Sequence, residues 1–144
     1  MPLAFRILPA ANLVHVRYWG FAEIEETEQA MRACFARPDF RPGMRHLVDF
    51  TAVEGFSRDY AGFMRLQAGV ADLLLGQPVE TMLVIVAGSP SGRAMAGLVM
   101  RTWDDVDGIV IRVQDSLDDA LGILGLPPDT LNAAVPWSDQ MDPA

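Results

Sequence analysis

The string Gly88-Ser89-Pro90-Ser91-Gly92-Arg93 carries the residue types that bind anions. It follows an apolar run and opens a helical pattern, so backbone N–H groups at the helix start face outward and favour negative charge. Arg93 adds a guanidinium that can fork onto a phosphate or carboxylate. Gly88 and Gly92 would let a ligand come close to the backbone. The same string is also ordinary helix-start chemistry, with Ser89 or Ser91 capping and Pro90 in the first turn, and that role needs no ligand. A ligand held here would lie at the carboxyl ends of parallel strands, with Thr51 and Ser57 completing its rim.

Other reactive types are scattered. His15 and His46 sit on strand-like runs, and no second histidine or cysteine lies at ligand spacing, so no metal is expected. Cys34 falls on an apolar helical stripe, where a cysteine behaves as a small hydrophobe. Ser57, Ser89, Ser91 and Ser116 read as helix caps, and the chain has no Gly-x-Ser-x-Gly elbow. Asp104, Asp105 and Asp107 fit a solvated turn better than a pair of catalytic carboxylates. Catalytic residues and cofactors are therefore not expected.

Composition narrows the partners. The chain has 144 residues, the size of one domain, and 51% of them are apolar, which excludes global disorder. Eleven basic groups, all arginine, face nineteen acidic ones for a net charge of −8. That balance argues against nucleic acid and against an anionic membrane surface. A lone cysteine makes no internal disulfide, the start does not read as a signal peptide, and no run reaches the roughly 18 apolar residues of a membrane span. A soluble, cytoplasmic protein is the expectation.

The elements that must position these groups alternate. Phe5 to Leu8 and Leu13 to Trp19 read as two strands joined by Pro9-Ala10-Ala11-Asn12, with Val14, Val16 and Tyr18 on one face. Gly20 ends the second strand. A helix from about Ala22 to Ala36 places Ile24, Met31 and Phe35 on one stripe, with Glu23, Glu25, Glu26 and Glu28 early and Arg32 late, as the helix dipole favours. Arg45 to Phe50 is a short buried strand. Ser57 is expected to cap a helix reaching about Leu75, with Tyr60, Phe63, Met64, Val70, Ala71 and Leu74 inward, stopped by Gly76-Gln77-Pro78. Thr81 to Ala87 is continuously apolar, the mark of a central strand covered on both faces. A third helix follows Ser89 and includes Met95, Leu98 and Trp103. Ile109 to Val113 is the last strand, and Ser116 caps Leu117 to Leu124, closed by Gly125. The order ββαβαβαβα implies an α/β fold, parallel throughout except for the first strand.

This order, with two local strings, resembles the SpoIIAA-like group related to the STAS domain. Arg41-Pro42-Gly43-Met44-Arg45-His46-Leu47-Val48-Asp49-Phe50 is similar to the family's loop into a strand ending in aspartate. Leu117-Asp118-Asp119-Ala120-Leu121-Gly122-Ile123-Leu124-Gly125 is similar to its closing helix. The resemblance spans about Phe5 to Leu126 and implies a right-handed β-α superhelix with helices largely on one face. It implies a binding or regulatory role. The family's phosphorylated Asp-Ser-Ser-Gly motif is replaced here by Ser57-Arg58-Asp59-Tyr60, so no serine switch is expected.

The sheet face left open by such helices would carry Leu8, Leu13 and Trp19 beside Arg6, Arg17 and Arg112. That mixture suits a protein interface. The segment from Pro127, with Leu131, Val135 and Trp137, either folds over that face or docks on a second subunit. A homodimer anchored by Leu13, Trp19 and Trp137 is expected. The leading functional reading is a non-enzymatic binding or regulatory module for a protein partner or a small anionic or lipidic ligand. The alternatives are a small enzyme or carrier using Ser89, Ser91 and Arg93, and a homodimeric structural module without a ligand.

Overall fold

A computed structural model describes residues 2–74 and 80–138, with side chains of 73 and 74 excepted. Five strands form one sheet in the order β1-β2-β3-β4-β5: β1 (Leu3–Leu8), β2 (Leu13–Ala22), β3 (Arg45–Phe56), β4 (Thr81–Val86) and β5 (Ile109–Gln114). β1 runs antiparallel to β2, and β2 through β5 are parallel neighbours. Helices α1 (Ile24–Phe35), α2 (Tyr60–Leu74), α3 (Pro90–Trp103) and α4 (Leu117–Leu124) connect or follow them. The fold is α/β with the expected element order. The hairpin closes through Asn12, which takes a left-handed conformation (φ 52°) tolerated by its short polar side chain.

Period-two alternation divides the apolar residues between two cores. Val14, Val16, Tyr18, Phe50 and Ile85 face α1, α2 and α3. Leu8, Leu13, Leu47, Val84 and Val86 face the other way, onto Ala120, Leu121 and Leu124 of α4. Three helices thus lie on one face, in keeping with the expectation of helices largely on one side, and α4 crosses to the other. Leu131 and Val135 join it there, so the chain covers its own second face.

Two strands outrun their expected ends. Gly20 adopts φ 63° and the pairing shifts register around it, yet β2 continues to Ala22 beside β3, with Trp19 opposite Ala52 and Ala22 opposite Phe56. β4 stops pairing with β3 at Asp49–Val86, so the last part of β3 and β2 project as a two-stranded ribbon. The expected end of α2 at Leu75 and its stop at Gly76-Gln77-Pro78 lie outside the described residues, as does the Leu74 side chain.

The start of α2 also differs. The Gly62 amide donates to Asp59 Oδ1 at 3.0 Å, and the Phe63 amide to the Asp59 carbonyl at 3.0 Å, so Asp59 caps the helix. Ser57 instead accepts from the Asp59 amide at 3.3 Å in a local turn. With the helix beginning later, Tyr60 and Met64 turn outward, at 52% and 39% exposure, rather than inward as expected.

Candidate functional site

The loop after β4 is built as helix-start chemistry. Ser89 Oγ accepts from the Gly92 amide at 3.0 Å and caps α3, with Pro90 in its first turn. Ser91 Oγ donates to the Glu54 carbonyl at 3.2 Å, and Arg93 folds back to donate to the Gly88 carbonyl at 2.8 Å. The two glycines serve close packing within the chain. A Cβ on Gly88 would lie 2.6 Å from the Asp115 carbonyl oxygen, and one on Gly92 would lie 3.0 Å from that of Phe50. Thr51 donates through both its amide and hydroxyl to Asp49, which puts a carboxylate on this end of the sheet. Six of the seven expected rim residues therefore have their side-chain or backbone geometry committed within the protein, and Ser57 is held in its own turn.

The expected interface residues are placed mainly inside. Leu13 is wholly buried under α4 and offers no surface to a partner. Trp137 packs on its own chain: its ring centre lies 4.6 Å from that of His15 and 4.3 Å from the Arg17 guanidinium carbon. Arg6 beneath it donates to the carbonyls of Leu131, Ala133 and Val135 at 2.6, 3.1 and 3.3 Å. Trp19 is half-buried beside Arg17. Cys34 lies buried on its helical stripe, with burial pushing the thiol up to about 12, so it is not a thiolate nucleophile at neutral pH.

A cavity of about 130 Å³ lies instead between the sheet and α1, α2 and α3. Its floor is the inward row of the central strands: Val48 and Phe50 from β3, Leu83 and Ile85 from β4. Met31, Phe35, Val48, Leu83 and Ile111 pack against the core, yet each is only half-buried. For Met31, Phe35, Val48 and Leu83 the reason is the cavity they line. Three helices spanning a twisted sheet leave this space because their side chains do not meet at its centre.

The lining has no charged side chain among the described residues. The Gln67 amide and the Trp103 indole also line it, and its remaining polar groups fall into two sets. Tyr18 Oη donates to Thr27 Oγ1 at 3.2 Å, Thr27 in turn donates to the Glu23 carbonyl, and Thr102 donates to the Val99 carbonyl at 2.8 Å. His46 Nε2 and Thr81 Oγ1 are buried and have no hydrogen-bond partner among the described residues. Burial holds His46 down to about 4, so it faces the cavity as a neutral imidazole at pH 7. Buried polar groups are ordinarily bonded, which makes this pair the unusual feature of the site.

The sequence places His46 on a strand, and it marks Thr81 far less plainly. Its one signal is a polar residue heading an otherwise continuous apolar strand. No protein-family model and no curated protein matches the chain.

Proposed function

We propose that this chain is a STAS-type binding module that encloses a small, predominantly apolar ligand between its sheet and the first three helices. The observation that carries this reading is the uncharged cavity of about 130 Å³ against the central strands. Apolar cavities on the order of 150 Å³ bind benzene-sized molecules, so the space suits a ring or short chain and is too small for a full lipid tail. The element order ββαβαβαβα supports the family resemblance, and the engaged donors around Arg93 favour an apolar ligand over an anionic one.

Methyl NMR during titration with toluene tests it. Val48, Leu83 and Ile85 should shift together and saturate. Methyl signals that stay put up to the solubility of toluene would reject the reading.

Regulation through protein contacts has one specific observation in its favour. Phe21 and Tyr60 are 53% and 52% exposed. Both belong to the corner where the β2–β3 ribbon meets α2, tied by the Ser57 amide donating to the Ala22 carbonyl at 3.1 Å. Exposed aromatics are the residue types that anchor interfaces.

A further inference from the structure

Resting on that binding reading, we propose that the ligand is an uncharged molecule bearing a hydroxyl, a phenol or small alcohol, whose hydroxyl bonds to both His46 Nε2 and Thr81 Oγ1. The placement comes from strand register. β3 and β4 are parallel, and His46 stands beside Leu83. Thr81 is two residues before Leu83 and so shares its face. The two side chains are thus diagonal neighbours on adjacent strands, at the amino-terminal end of the cavity floor. His46 is 5% exposed and Thr81 1%. Both residues line the cavity, and neither named atom has a partner among the described residues.

Their chemistry selects the ligand head. A neutral imidazole nitrogen either donates or accepts, and a threonine hydroxyl does both. One ligand hydroxyl can therefore donate to one group while accepting from the other. An apolar molecule would leave both unsatisfied, as they are among the described residues. A carboxylate would be buried without a counter-charge, because no arginine lines the space among the described residues and the rings beside His46 are those of Phe35 and Phe40. The volume admits on the order of six to eight non-hydrogen atoms. Phenol meets all three conditions of size, neutrality and a hydroxyl.

The test compares phenol, toluene and benzoate, nearly alike in shape, by NMR titration of the full chain at pH 7. Phenol should bind about tenfold tighter than toluene, the margin that one or two satisfied hydrogen bonds supply, and benzoate weakest. Thr81→Val keeps the shape of the side chain and removes its hydroxyl. It should be at least as stable as the unchanged protein and should shrink the preference for phenol severalfold, and His46→Phe should do the same. Toluene binding as tightly as phenol, benzoate binding best, or a phenol preference that survives Thr81→Val overturns the hydroxyl inference while leaving the apolar-ligand reading intact. Failure of all three probes overturns both.

Discussion

The Arg6 guanidinium carbon lies 4.6 Å from the centre of the Trp137 ring, a contact that joins the first strand to residues more than a hundred positions later. Arg6 is 7% exposed and donates to three alternate carbonyl groups of that later segment, those of Leu131, Ala133 and Val135, while its Nε meets His15 Nδ1 at 3.3 Å. The Phe5 amide also donates to Ser138 Oγ at 3.0 Å. An arginine that looks solvent-facing by alternation is the clamp that holds the chain over its own sheet.

That clamp predicts a measurable coupling. Arg6→Met should destabilise by about 1–3 kcal/mol, because three part-buried carbonyls lose a charged donor. Trp137→Ala should also destabilise, and the double variant should fall short of the sum by about 0.5–2 kcal/mol. Urea unfolding of the four proteins measures this. Strict additivity would mean that Trp137 and Arg6 act independently.

Association should depend on the exposed corner and not on the clamp. Sedimentation equilibrium at micromolar concentration is expected to show a dimer that Phe21→Ser weakens and Trp137→Ala spares. A monomer for the unchanged protein rejects homodimerisation, and a dimer lost with Trp137 alone would return the interface to the second sheet face.

Acid should destabilise the fold through its two histidines. Burial holds His46 down to about 4, and burial with the charges of Arg6 and Arg17 holds His15 down to about 3. Both values lie below the unfolded value of about 6.5, so the unfolded chain takes up protons first. The stabilisation is complete above about pH 6.5 and is lost as pH falls toward 4 and 3. Each histidine contributes a slope of about 1.4 kcal/mol per pH unit, or about 2 kcal/mol lost by pH 5. His46→Asn should remove about half of the slope seen in urea unfolding between pH 6 and 5. An unchanged slope would show that His46 titrates alike in both states.

The cap assignment separates two neighbours. Asp59→Ala should cost about 0.5–2 kcal/mol, because the Gly62 amide loses its acceptor. Ser57→Ala should change stability by less than about 0.5 kcal/mol, as its single long bond lies outside the helix. A larger loss at Ser57 than at Asp59 would reverse the assignment.

Sequence periodicity alone determined the five strands, their alternation with helices, and which face each strand residue takes. Val14, Val16 and Tyr18 share a face because successive Cβ atoms alternate, and Thr81 to Ala87 reads as a central strand because both its faces are apolar. Ser89, Ser116 and Gly125 end their helices as their types require. Choices between nearby equivalents were not legible. Ser57 and Asp59 are both good caps, and only the packing of α2 against α1, where Gly62 sits within contact distance of Ile24, decides which is used. Local pattern also carries nothing about which sheet face a helix takes, so the crossing of α4 and the burial of Arg6 under residues 131–135 emerge only from tertiary packing. The candidate site is of the same kind. Alternation puts His46 and Thr81 on one face, but parallel register makes them neighbours. The cavity beside them is a volume left by three helices, and a volume between side chains distant in sequence has no period to read.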